Sequence, residues 1–182
     1  MDDLEFSRRV LQGDRDANAE FVERHYASVF RYLRVLTSHD QEAEDLAQET
    51  LLKARLRLTG YRGKSSLRSW IHSVAFRQFL RWRRLRRLSF RLNEKQSYVP
   101  DGFADAETGE TLRIALAHLS EGQRQAFVLH EILKFDLPEV ASALKTPVGT
   151  VKSRLFHARI RLRAALTPKT EEASHGTKAY EH

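Results

Sequence analysis

The chain has 182 residues, 41% of them hydrophobic, no cysteine, a formal charge of +7 and a pI near 9.9. That size allows one medium domain or two small ones, the missing cysteine excludes disulfides and thiolate metal sites, and the charge favours a polyanionic partner, nucleic acid first. No apolar run approaches the roughly 20 residues of a bilayer span, and the acidic opening "MDDLEFSRRV" lacks the apolar stretch of a signal peptide, so a reducing cytoplasm suits the composition.

Helical periodicity dominates and no alternating strand pattern persists, so the expected fold is all-α. Val22, Tyr26, Val29, Phe30, Leu33 and Leu36 form one apolar stripe. Ser38, with Gln41 three residues on, reads as a capping box that starts a new helix. Its buried face is Ala43, Leu46, Ala47, Thr50, Leu51, Ala54 and Leu58. "TGYRGKSS" at 59–66 breaks that helix and supplies serines able to cap the next. Leu67, Trp70, Ile71, Val74 and Ala75 give the inner face of a helix that runs into "FRQFLRWRRLRR". Residues 93–110 read as a flexible acidic linker. Helices resume at Thr111. Ser120 with Gln123 and Asp136 with Glu139 repeat the capping-box signature, and Phe127, Val128, Ile132 and Leu133 supply apolar residues between them. A final helix runs to about Leu166, and 167–182 is a polar, disordered tail. Two helical domains are expected, at 1–92 and 111–166.

Charge is segregated along the chain. Arg77 to Arg91 holds seven arginines and no acid, whereas Asp40 to Glu49 holds five acids and no base. Separate surfaces for separate partners follow. In the arginine run Phe76, Phe79 and Trp82 recur every three residues, and cations interleaved with rings suit a separated strand, each base stacking for roughly 1–3 kcal/mol. The same spacing is also that of core residues, and Phe79 fits either role equally.

The segment "LPEVASALKTPVGTVKSRLFHARIRLR" has the marks of a helix-turn-helix. Ala141 is small where two helices must approach, Lys145 and Thr146 turn the chain, and Thr146 caps the second helix with Pro147 at its first position. Val151 and Leu155 point inward. Thr150, Lys152, Ser153, Phe156 and His157 then face outward near the N-terminal half, and Arg154, Arg159, Arg161 and Arg163 suit phosphate contact. An ordinary hairpin with a solvated basic face is the plainer alternative.

Together "EAEDLAQETLLKA", "YRGKSSLRSWIHSVA" and the helix-turn-helix segment resemble the bacterial extracytoplasmic-function (ECF) sigma factors, which carry only sigma regions 2 and 4. The likeness runs from about Asp16 to Leu166. It implies that Asp45, Gln48, Glu49 and Leu52 dock on the polymerase β′ coiled coil, and that region 4 meets the β flap. It implies that the minus-ten element is melted and an unstacked base captured around Tyr61, Lys64, Ser65, Ser66 and Trp70. Arg77, Arg81, Trp82 and Arg84 extend that strand-binding surface. Thr150, Lys152, Ser153, Arg154, Phe156, His157 and Arg159 would hold the minus-thirty-five element. It further implies an acidic linker lying in the RNA-exit channel and control by an anti-sigma factor, with no cofactor, no metal and no chemistry of the chain's own.

Two departures stand out. Where the family usually has an arginine–asparagine pair and then an aspartate, this chain has Phe76–Arg77 and Arg81, which adds charge and alters the base pocket. His157 stands where a permanent charge is common, and histidine titrates near neutrality. Two rival readings fit the sequence less well. A stand-alone helix-turn-helix regulator leaves the acidic face at 42–52 without purpose. An enzyme finds little support, because His130–Glu131 opens like a zinc-binding helix but Lys134 replaces the second histidine. Glu42, Asp45 and Glu49 could hold magnesium, but suit a docking face better.

Overall fold

The structure, a computed structural model, describes residues 2–92 and 114–166, with side chains through Arg86 in the first span. The expectations for the linker at 93–110, for Thr111 and for the tail from 167 lie outside the described residues. All regular structure among those described is helical.

The first domain is built from α1 (Asp3–Leu11), α2 (Arg15–Thr37), α3 (Asp40–Leu56), a 3-10 turn (Leu58–Gly60) and α4 (Leu67–Leu92). Phe6, Val10, Phe21, Val29, Tyr32, Leu33, Leu46, Leu51, Ile71, Val74 and Phe79 fill its core. The α3 face is as expected: Ala43, Leu46, Ala47, Thr50, Leu51 and Ala54 are buried, and Leu58 follows in the 3-10 turn. The α2 stripe needs correction, because Val22 is exposed and Phe21, His25 and Tyr32 point inward instead. Ser38 is also corrected. It ends α2 in the left-handed conformation, φ 56°, and α3 starts two residues later at Asp40. A chain reversing between two long helices needs a left-handed closing residue more than it needs a capping box. The Thr37 hydroxyl accepts from His39 N–H at 3.3 Å and takes part in that turn.

The second domain opens with a helical segment at 114–117 and continues as α5 (Glu121–Phe127), which passes into a π-turn (Val128–Ile132), α6 (Leu137–Leu144) and α7 (Val148–Leu166). Its core includes Leu116, Leu119, Ala126, Leu129, Leu133, Val140, Leu144, Val151, Leu155 and Leu162. The box at α6 forms in full: Glu139 N–H donates to Asp136 Oδ1 at 2.7 Å and Asp136 N–H to Glu139 Oε2 at 3.1 Å. At α5, Ser120 N–H donates to Gln123 Oε1 at 3.1 Å. Lys145, at φ 50°, makes the turn into α7, which opens at Val148 with the Pro147 carbonyl accepting from Val151 N–H.

The two domains touch. Across the seam α4 lies against α6 and α2 meets the π-turn, and Phe135 is buried there at 1% exposure. The π-turn carries the chain to that position, with Lys134 at φ 57° and the His130 ring N–H donating to the Phe135 carbonyl at 2.8 Å.

Candidate nucleic-acid and partner interfaces

On α3 the residues opposite the core are Asp45, Gln48, Glu49 and Leu52, all exposed, and the exposed Leu56 extends their line by one turn. An exposed apolar pair flanked by acids is a surface fit for a partner. Glu49 pairs with Lys53, whose ammonium also reaches Gln78 Oε1 at 2.7 Å. Glu42 turns the other way, accepting from the Trp82 indole N–H at 2.5 Å and pairing with Arg86. Of the α3 carboxylates named as a magnesium candidate, Glu42 and Glu49 are thus engaged by separate donors on different sides.

The loop 59–66 is held from inside. Tyr61 is 7% exposed and its hydroxyl donates to the Ser65 carbonyl at 2.7 Å. Burial first, then the neighbouring Asp3 carboxylate, push that hydroxyl up to about 12, so it stays a neutral donor. Tyr61 is therefore a strut under the loop rather than an outward ring, and Trp70 leans on it with ring centroids 5.7 Å apart. Lys64 is exposed at the tip and Ser65 half-buried. Ser66 caps α4: its Oγ accepts from Ser69 N–H at 3.2 Å and donates to Glu139 Oε1 at 2.7 Å.

Further along α4, Phe79 is core at 2% exposure. Trp82 is half-buried, 5.7 Å from the Phe79 ring with Arg86 over its own. The indole is tied down by Glu42, so a freely presented stacking ring is not what this position offers. Arg81 and Arg84 are exposed. Arg77 is half-buried, within 3.4 Å of Ser73 Oγ, and burial followed by the charge of Arg57 lowers its proton affinity.

On α7, Val151 and Leu155 are buried while Lys152, Ser153, Phe156, His157 and Arg159 are exposed, and Thr150 and Arg154 are half-exposed. Phe156 is 61% exposed, and Ile160 continues its line one turn on at 52%. Large apolar groups bare on a cationic helix face suit the major groove, where a thymine methyl is the apolar landmark. Arg154 lies across Gly122 of α5: a Cβ there would come within 3.0 Å of its Nε. Arg159 donates to Glu131 Oε1 at 2.5 Å, a hydrogen bond that holds the Glu131 carboxyl below its usual range. With His130 bonded to the Phe135 carbonyl and Glu131 to Arg159, the pair resembling a zinc helix serves the fold.

Of the residues that join the domains, the sequence pattern marks Ser66 and Glu139 but not Arg68, His72 or Phe135. The Arg68 guanidinium lies 3.8 Å from the Phe135 ring centroid and donates to the Leu133 carbonyl. His72, fully buried, packs its ring 4.7 Å from Phe135 and is bonded to the Arg68 carbonyl and Ser28 Oγ. Burial lowers its pKa to about 4, so it is neutral at pH 7. Arg83 pairs with Glu121. Ser66 ends the 59–66 loop and Arg68 follows it, and both are engaged by the second domain.

Comparison with known proteins agrees with this geometry. Residues 21–89 match the Sigma-70 region 2 family and residues 110–162 the Sigma-70, region 4 family. The ECF RNA polymerase sigma factor SigM of Mycobacterium tuberculosis is 30% identical, over 88% of this chain and 82% of its own. The chain belongs to the ECF RNA polymerase sigma factors. Another relative is the RNA polymerase sigma factor YlaC of Bacillus subtilis, 29% identical over 87% of this sigma factor and 96% of that protein. The sigma factor RpoE, solved with the anti-sigma factor NepR from Bartonella quintana, superposes with a TM-score of 0.69 at 25% identity, covering 81% of this chain and 95% of that one. CnrH shares the fold, with a TM-score of 0.70 at 22% identity over 91% of this chain and 97% of its own.

Proposed function

We propose that this sigma factor directs core RNA polymerase to promoters through two faces, α3 for the enzyme and α7 for duplex DNA, with the 59–66 loop and α4 handling the separated strand. The observation that carries this reading is the pairing, in one chain, of an exposed acidic and apolar α3 face with an exposed cationic α7 face. A stand-alone regulator has use for the second face only. Asp45, Gln48, Glu49 and Leu52 take the β′ coiled coil, and region 4 takes the β flap. Lys152, Ser153, Phe156 and His157 read base edges of the minus-thirty-five element, with Thr150, Arg154 and Arg159 on phosphates. Lys64, Ser65, Ser66 and Trp70 receive the minus-ten strand, and Arg77, Arg81, Trp82 and Arg84 extend its track. Bond making belongs to the polymerase. Among the described residues no helix is long and apolar enough to cross a membrane, and work on chromosomal promoters places the protein in the cytoplasm. RpoE, its structural relative, binds an anti-sigma factor, and control of this chain by such a partner follows that precedent.

The touching domains must part for this work. Elements centred at minus ten and minus thirty-five are about 25 base pairs apart, roughly 85 Å of B-form DNA at ~3.4 Å per pair. Domains of this size have radii of gyration near ~12 Å, so when in contact their centres lie only about 30 Å apart. The roughly 20 residues between Leu92 and Ile114 reach about 70 Å when extended, enough, with the domains' own breadth, to span both elements. Run-off transcription with core polymerase over a promoter library tests the assignment. Lys152→Ala and Phe156→Ala should change upstream preference, and Lys64→Ala downstream preference. Preferences unmoved by all three would refute it.

A further inference from the structure

We propose that Asp3, on α1, is a positioning residue for strand capture: its carboxylate fixes the end of the 59–66 loop and the first turn of α4 in the shape that receives the minus-ten strand. This rests on the loop assignment made above and adds a residue from outside it. The first N–H groups of any helix lack partners within the helix. At α4, Ser66 Oγ takes the N–H of Ser69, and the N–H of Leu67 is left for another acceptor. Asp3 Oδ2 accepts it at 2.7 Å, a cap supplied from 64 residues away in sequence. The same oxygen lies 3.5 Å from the Tyr61 hydroxyl, so one carboxylate sits between the strut at the start of the loop and the helix at its end. Its negative charge also faces the positive end of the α4 dipole.

The next residue of α1 completes the clamp. Gly63 stands at φ 67°, a conformation that favours glycine, and a Cβ built there would lie 2.9 Å from Leu4 Cδ1. Leu4 therefore closes directly over the sharpest bend of the loop. Phe6 and Val10, each 1% exposed, anchor α1 in the domain core, so the clamp is rigidly based. Asp3 places the groups at Lys64, Ser65 and Ser66 while remaining behind them.

The test uses the full chain and three variants: Asp3→Ala, Asp3→Asn, which retains an acceptor oxygen, and Val29→Ala, which thins the core at α2 and leaves α1 and the loop unaltered. Hydrogen exchange should accelerate about tenfold at the Leu67 amide in Asp3→Ala, the scale of a lost cap, and less in Asp3→Asn. With core polymerase, permanganate reactivity of melted thymines and discrimination against a substituted minus-ten base should each fall about tenfold in Asp3→Ala. Asp3→Asn should restore part of both, and Val29→Ala neither lose discrimination nor speed Leu67 exchange. Unchanged Leu67 exchange in Asp3→Ala overturns the clamp. Equal loss of discrimination in Val29→Ala overturns it too, by reducing Asp3 to general stability. If Lys64→Ala and Ser65→Ala keep full discrimination, the loop assignment itself fails and the proposal with it. If those two lose it and Asp3→Ala does not, only the positioning role is refuted.

Discussion

Acid should loosen this protein through His72, and the size of the effect follows from its burial. The ring is enclosed between α2 and Phe135, with Arg68 on its own helix and His25 across from it, and its pKa falls from 6.5 to about 4. The folded state therefore resists a proton that the unfolded chain accepts. Stability from this group is complete above about pH 6.5 and is lost as pH falls from there toward 4. Between pH 7 and pH 5 the loss is about 2 kcal/mol for His72. His25, likewise lowered to about 4 mainly by burial, loses stability in the same direction and window. At about 2–4 °C per kcal/mol for a chain of this length, His72 alone should cost roughly 4–8 °C of Tm. The assay is thermal unfolding of wild type and His72→Gln from pH 7.5 to 5. The variant starts lower at every pH because it lacks the ring against Phe135, but its Tm should fall only about half as steeply. Parallel slopes would refute the reasoning. A charged His72 would also stand beside Arg68, so the seam between the domains should open along the same pH window.

Arg68→Ala removes both the cation over Phe135 and the hydrogen bond to the Leu133 carbonyl, together about 2–4 kcal/mol of contact. Solution scattering should show a radius of gyration larger by several Å with unchanged helix content by circular dichroism, and an unaltered scattering curve would contradict the seam. Leu52→Ala, at a side chain 56% exposed, should shift Tm by less than the equivalent of about 0.5 kcal/mol but weaken binding to core polymerase tenfold or more, measured by fluorescence anisotropy. Phe156→Ala should relax preference at one upstream base by about 1–3 kcal/mol with the salt dependence of DNA binding intact. Arg161→Ala should instead weaken all sequences alike and lower the salt slope by about one. Competition binding across a salt series separates the two.

The interfaces were legible in the sequence where local pattern dictates local structure. The α3 face repeats at helical spacing, and spacing alone assigns Leu46 and Leu51 to the core and Asp45 and Leu52 to the surface. The Asp136–Glu139 box and the buried Val151 and Leu155 are likewise short-range features. What stayed hidden depends on contacts distant in sequence. Nothing near Trp82 announces that Glu42 will bind its indole, nor does anything near Leu67 point to Asp3. Ser38 carries a true capping signature, yet the sharp reversal between α2 and α3 uses it as a left-handed closing residue. Phe135 reads as an ordinary apolar residue in a loop. The π-turn, the Arg68 cation and the His72 ring together explain its burial between domains.

The central claim is that this chain makes core polymerase promoter-specific. The direct measurement adds purified protein to sigma-free core enzyme and follows complex formation together with run-off transcripts from a promoter-containing template. The account predicts a stable complex, transcripts with a single defined start, and loss of both when Asp45 and Leu52 are replaced together. A protein that binds duplex DNA through α7 yet neither joins the core enzyme nor yields a defined transcript at low salt would contradict it.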